Sequence, residues 1–211
     1  MNYITKSVSM LCAALCSYNI SSVACTGISL TAKDGSYIQA RTIENADTKL
    51  PSEYVIIPRG HRIVSFTPEA KNGLSFTAKY GVVGLCVVQK EFIAEGINEE
   101  GLSTGLFFFP SYGSYKPYDA RKANISIGDL QLNSWMLTQF ATVDEVIEAV
   151  TKGIIRVVGL DKSAVVHYRI GDKGGRQVVL EFVNGVPHFY ENSVGVITNA
   201  PGFEWHLTNL N

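Results

Sequence analysis

Asp34-Gly35 divides two stretches of strand-forming residues in 25-CTGISLTAKDGSYIQARTIEN-45, and this constrains the fold more than any other local feature. An Asp-Gly pair between such stretches signals a β-hairpin, because a two-residue type I′ turn needs positive φ at both central positions. Counting outward from that loop pairs Lys33 with Ser36, Leu30 with Gln39, Ile28 with Arg41 and Cys25 with Glu44. A carboxylate is thereby expected opposite Cys25. Arg41 and Glu44 are three residues apart, so strict alternation sends them to opposite faces unless a bulge or a strand end intervenes.

The segment before Cys25 has a different composition. Lys6 is the first charge and Lys33 the next, and Val8 to Ile20 is mostly apolar and leads to Ser22 and Ala24. This is the pattern of a secretory signal peptide over residues 1–24, too short in its apolar part to span a bilayer, which implies a periplasmic or extracellular protein. A buried N-terminal helix is the bland alternative. A lipoprotein is another, since Val23-Ala24-Cys25 partly resembles a lipobox, although Ser22 stands where leucine is usual.

Removal of residues 1–24 leaves Cys25 and Cys86. Cys86 lies in 81-GVVGLCVV-88, which reads as a buried strand. A bond between the two is compatible with an oxidising compartment, but two cysteines make no disulfide framework. Cys25 is then a free thiol carrying a free α-amine. A thiol titrates near ~8.5 and an α-amine near ~7.7 to 8.0, so one residue supplies both a nucleophile and a base. Holding the two together costs no association entropy.

Other chemistry has little support. Eighteen basic residues against nineteen acidic ones, scattered along the chain, offer no basic face for nucleic acid. His61, His167, His188 and His206 show no ligand spacing and neither CxxC nor HExxH occurs, so no metal or cofactor is expected. His206 is the best alternative base, with a structural role the more common use of such a residue. No apolar run after the leader is long enough to span a membrane. Assembly as a homo-oligomer is left open.

Strand candidates follow at Tyr54–Ile57, Gly60–Phe66, Leu74–Lys79 and Val82–Gln89. Ile127–Thr138 has helical spacing, and Thr142-Val143-Asp144-Glu145 forms a capping box before a second helix. Strands return at Ser163–Ile170, Gln177–Val183 and Pro187–Tyr190. Val194–Thr198 is rich in β-formers and runs into the turn Asn199-Ala200-Pro201-Gly202, which puts a carboxamide at a strand end. This pattern describes a single α+β domain.

Four ordered motifs resemble the choloylglycine hydrolase family, the N-terminal-nucleophile amidases that include bile salt hydrolase and penicillin V acylase. They are 25-CTGISLTAKDG-35, Arg41 with Glu44, 98-NEEGLSTGLFFFP-110 and 198-TNAPGFEWHLTNL-210. The resemblance implies a four-layer αββα sandwich over residues 25–211. It also implies hydrolysis of the amide bond of glycine- or taurine-conjugated bile salts, with acylases of penicillin V or acyl-homoserine lactones as alternatives. Cys25 would be the nucleophile, with Arg41 beside it and Glu44 where aspartate is commoner. Asn199 and the Phe108 N–H would form the oxyanion hole, and Phe107, Phe109 and Tyr112 would line a substrate pocket. Family members are longer than this chain, so the resemblance implies a domain incomplete at its C-terminus, without a downstream active-site arginine; an inactive truncated paralogue is a further alternative.

Overall fold

The computed structural model describes residues 24–44, 49–161 and 164–210, and the leader reading falls outside it except at Ala24. The first hairpin turns through three residues, where two were expected. Ala32 N–H donates to Ser36 O at 2.8 Å and Gly35 N–H to Ala32 O at 3.0 Å, leaving Lys33, Asp34 and Gly35 as the loop. Asp34 accepts the Ser36 N–H at 2.9 Å, and Gly35 takes φ +86°, the left-handed residue that a three-residue loop with a bulge requires.

This extra loop residue moves the whole register. Strand β1 (Thr26–Thr31) pairs with β2 (Tyr37–Thr42) so that Gly27 faces Arg41, Ile28 faces Ala40 and Leu30 faces Ile38. The expected pairings of Ile28 with Arg41 and Leu30 with Gln39 are therefore wrong by one position. With a side-chain period of two, that slip exchanges the faces of β2 relative to β1. Arg41 now shares the inner face with Cys25 and Gly27, while Ile28, Leu30, Ile38 and Ala40 point outward.

A short strand, β14 (Val196–Thr198), joins the other edge of β1 and makes a three-stranded sheet in the order β14-β1-β2. Facing it is a seven-stranded antiparallel sheet. It contains β3 (Ser52–Ile57), β6 (Val82–Val87), β7 (Gln89–Asn98), β8 (Ser103–Phe108), β11 (Val166–Gly171), β12 (Gln177–Val183) and β13 (Val186–Glu191), in the order β13-β12-β11-β8-β7-β6-β3. Two small pairs complete the strands: β4 (Arg62–Val64) with β5 (Ser75–Thr77), and β9 (Ser126–Gly128) in parallel with β10 (Arg156–Val158).

Helices α1 (Leu132–Gln139) and α2 (Val143–Thr151) lie on the side of the large sheet away from the small one, over a core that includes Leu102, Ile127, Trp135, Val146, Tyr168 and Leu180. The expected helix from Ile127 starts only at Leu132. Gly128 N–H donates to Ser65 Oγ at 2.9 Å and Leu160 N–H donates to Asp129 Oδ1 at 3.0 Å, so neighbouring segments hold 126–128 as a strand. The Thr142 half of the capping box is present, its Oγ1 accepting the Glu145 N–H at 3.3 Å, while the Glu145 carboxylate accepts the N–H of Ala141, one residue before the cap, at 2.7 Å. Between β7 and β8, Asn98 accepts from Glu100 and Leu102 N–H and donates to Leu137 and Phe140 carbonyls, which ties the sheet to α1. These strands and Asn98's role were not foreseen.

The two sheets pack around Cys25, Phe107, Val179, Ile197 and Phe203, the last of which opens helix α3 (Phe203–Asn209). Gly27 permits their close approach: a Cβ there would lie 2.6 Å from Phe107 and 2.9 Å from Arg169. Helices, large sheet and small sheet form three layers in the described residues. The outer face of the small sheet, where the fourth layer of the expected sandwich would lie, leaves Ile28, Leu30, Ile38 and Val196 exposed.

Asp129 is fully buried, with Oδ2 lacking a partner, and burial raises its pKa to about 7. Between about pH 4 and pH 7 the folded state then keeps a proton that the unfolded chain has lost, so stability falls as pH rises through that window and levels off above it. Asp129→Asn is expected to raise the Tm more at pH 8 than at pH 5, as measured by calorimetry.

Candidate active site

Strands β7 and β8 pair from Ile97 with Ser103 to Glu95 with Gly105, and there the ladder stops. The carbonyls of Ala94 and Leu106 lie just past that point, and Arg41 reaches both from the small sheet, at 3.2 and 2.6 Å. Its guanidinium lies 4.1 Å from the centre of the Phe107 ring and its Nη1 is 3.6 Å from Glu95 Oε2. Cys25 and this guanidinium line the same cavity. Burial lowers the Arg41 pKa from its ordinary value, opposed by the Glu95 carboxylate and then by Cys25.

Glu95 and Arg169, which sequence reasoning did not single out, complete this centre. Arg169 is fully buried, pairs with Glu95 through Nη2, and donates from Nη1 to Ile28 O at 3.1 Å and Ala40 O at 3.3 Å. It therefore fastens β1 and β2 to the large sheet. Burial raises the Glu95 pKa, and the neighbouring Arg169 and Arg41 work against that. Gly105 gives the carboxylate room, since a Cβ there would sit 2.0 Å from Glu95 Oε2. A Glu and an Arg that alternate with apolar neighbours in buried strands were the available signal.

Glu44 is exposed, and its Oε2 accepts the Ala24 N–H at 3.2 Å. The carboxylate thus sits one residue from the backbone nitrogen of Cys25. Cys25 itself is buried, with Sγ 3.9 Å from Glu44 O, and both Cys25 and Cys86 are free thiols.

At the far side, Phe108 N–H donates to Asn199 Oδ1 at 2.9 Å, and Ala200 N–H donates to Phe108 O at 2.9 Å. The two groups expected to act as paired donors are bonded to each other here. A strand-edge N–H without a ladder partner takes the nearest acceptor, and the carboxamide oxygen is that acceptor. Asn199 Nδ2 is the donor that remains.

A cavity of about 360 Å³ brings Cys25, Arg41, Glu44, Phe108 and Asn199 together, with Ile43, Leu50, Val87, Ala94, Leu106 and Val166 as apolar walls. Phe107, Phe109 and Tyr112 do not line it, contrary to expectation. Alternation along β8 turns Phe107 into the space between the sheets; Phe109 is buried in a stack with His167, and Tyr112 stacks on Phe109 with half its surface exposed. His206 also lies outside, its Nε2 donating to Asn199 O at 3.1 Å. A larger cavity of about 540 Å³ opens on the opposite side of Arg41, along β2, β6 and β7, and Cys25 does not reach it. Among the described residues no group of three or more His, Cys, Asp or Glu could hold a metal ion, and no helix is long and apolar enough to cross a membrane.

Two facing sheets backed by helices, with a cysteine at the head of the first inner strand, define the N-terminal-nucleophile hydrolase fold. Solved structures that share it include two amidases. One is a mutant of the conjugated bile acid hydrolase from Clostridium perfringens, with a TM-score of 0.73 and 29% identity over 89% of this chain and 56% of that one. The penicillin V acylase from Agrobacterium tumefaciens has a TM-score of 0.75 at 23% identity, over 87% and 55%. Residues 25–211 match the family described as linear amide C-N hydrolases, choloylglycine hydrolase family, and the chain belongs to that family. It is 32% identical over 193 residues to a bile salt hydrolase/transferase of Clostridium perfringens, covering 89% of this chain and 56% of the relative. A conjugated bile acid hydrolase of Lactobacillus gasseri is 25% identical, at 88% and 58%. The chain spans little more than half the length of these relatives.

Replacing Arg169 by Met leaves the part-buried Glu95 with one cationic partner and removes two hydrogen bonds to carbonyls of β1 and β2, so a loss of about 3 kcal/mol in unfolding free energy is expected from urea titration. The double variant with Glu95→Gln is expected to recover part of it.

Proposed function

We propose that the protein hydrolyses the amide bond of glycine- or taurine-conjugated bile salts, with Cys25 as an N-terminal nucleophile exposed by removal of residues 1–24 during export. The observation that carries this reading is the cavity that joins Cys25, Arg41, Glu44, Asn199 and the Phe108 N–H. Membership of the amidase family and the printed names of its relatives support the substrate class.

In this mechanism the α-amine of Cys25 takes the thiol proton and the sulfur attacks the amide carbon. Negative charge gathers on the former carbonyl oxygen, where Asn199 Nδ2 and the Phe108 N–H receive it. The Asn199 carboxamide must first turn by about 180° about χ2, releasing the Phe108 N–H from its own oxygen; such terminal torsions are broad and roughly two-fold. Collapse of the intermediate breaks the C–N bond, and the α-ammonium gives its proton to the departing glycine or taurine. Water, deprotonated by the same amine, then hydrolyses the thioester and regenerates Cys25. Glu44, whose carboxylate accepts the N–H next to Cys25, is well placed to hold the freed ammonium, and Arg41 supplies fixed positive charge beside the sulfur.

The test uses the chain beginning at Cys25, with release of glycine and taurine followed for conjugated bile salts and, in parallel, turnover of penicillin V and an acyl-homoserine lactone. Cys25→Ala is expected to cut release by about a thousandfold or more, and Asn199→Ala by about a hundredfold. Undiminished release from Cys25→Ala ends the reading. Intact mass and N-terminal sequencing of the exported protein check the leader: a free Cys25 terminus is expected, and an acylated one removes the base.

A further inference from the structure

Thr198 and Phe203 bracket the turn that carries Asn199, and both are held by one buried pair of side chains. His167 on β11 is fully buried and Glu181 on β12 nearly so. The β11–β12 register, Tyr168 opposite Leu180, continues to place them directly across from each other. His167 Nε2 lies 2.9 Å from Thr198 O, before the turn. His167 Nδ1 lies 3.0 Å from Glu181 Oε1, and that oxygen accepts the Phe203 N–H at 2.8 Å, after the turn. The imidazole is fixed in plane by Phe109, whose ring is 4.4 Å away and 5° from parallel.

The proton count is forced. Thr198 O can only accept, so Nε2 carries a hydrogen. Nδ1 and Oε1 then share one further proton, whichever of the two holds it. A buried pair of this kind is weak evidence of added stability, because an apolar pair would fill the same space without the desolvation cost. What it supplies that apolar side chains cannot is a directional link between the two ends of a turn.

We propose that His167 and Glu181 are positioning residues for Asn199: they fix Thr198 and Phe203 so that the Asn199 carboxamide faces the cavity beside Phe108. This rests on the reading of Asn199 as an oxyanion donor. Neither side chain lines the cavity, so both act through the turn.

His167→Phe keeps the stack on Phe109 and removes both hydrogen bonds. In the chain beginning at Cys25 it is expected to lower kcat by about tenfold or more with KM within about twofold. Introduced into Asn199→Ala, the same change is expected to cost less than about threefold, because the group it positions is gone. Glu181→Gln can keep only one of the two bonds that Oε1 makes, so it is expected to lower kcat less than His167→Phe does, again with KM within about twofold. Equal losses with and without Asn199, or a raised KM at unchanged kcat, overturn the proposal.

Amide hydrogen exchange provides a readout that needs no substrate. Ala200 and Phe203 amides are expected to exchange faster in His167→Phe than in the unmodified protein while the β7 and β8 amides do not change. Unchanged rates at Ala200 and Phe203 overturn the proposal even if no amide is turned over, an outcome that would count against the bile-salt reading alone. Should His167→Phe not fold, Glu181→Met takes its place in both measurements, with the same expected outcomes.

Discussion

The Arg41 guanidinium closes the gap where β7 and β8 part, and the arrangement of the two sheets follows from it. Without Arg41, of the two carbonyls that lose their ladder partners at that point, Leu106 O would lose its side-chain donor, at a cost of about 1–3 kcal/mol, and Ala94 O would keep only the Asn133 amide at 3.5 Å. Arg41 reaches them only because it points inward from β2, and it points inward because the Asp34-Gly35 loop has three residues. A single turn residue thus decides whether the cation lies beside Cys25 or in solvent.

The charge placed there is largely buried and has to be balanced. Glu95 does this from β7 and serves a second cation, Arg169 of β11, which also donates to the backbone of β1 and β2. The glycines at 27 and 105 are the steric counterpart of that cluster. One lets the small sheet approach Phe107, and the other lets Glu95 lie against β8. Packing and electrostatics at the sheet interface are therefore one problem with one solution, and Cys25 sits at its edge.

The second half of the site is built differently, from a turn held at both ends. Asn199 and Ala200 engage both backbone groups of Phe108, and the His167–Glu181 pair anchors the flanking residues. Strands of the large sheet thus position groups on either side of the cavity: β7 and β8 through Arg41, β11 and β12 through the turn. Each of these walls is supported by its own pair of strands.

The sequence by itself determined the local elements. The first hairpin, the strands at Val82–Val87 and Gln177–Val183, and the Thr142 cap of α2 follow from turn residues, alternation and capping chemistry. So does the family, from four motifs in order. The tertiary structure decided the rest. Loop length set the register, which single-strand alternation cannot reveal, and it moved Arg41 to the face of Cys25. Bonds to Ser65 and Leu160 turned the start of an expected helix into strand. The partnership of Glu95 with Arg169 spans 74 residues and that of Thr198 with His167 spans 31, distances over which no periodicity carries information; only the pairing of strands brings such residues together.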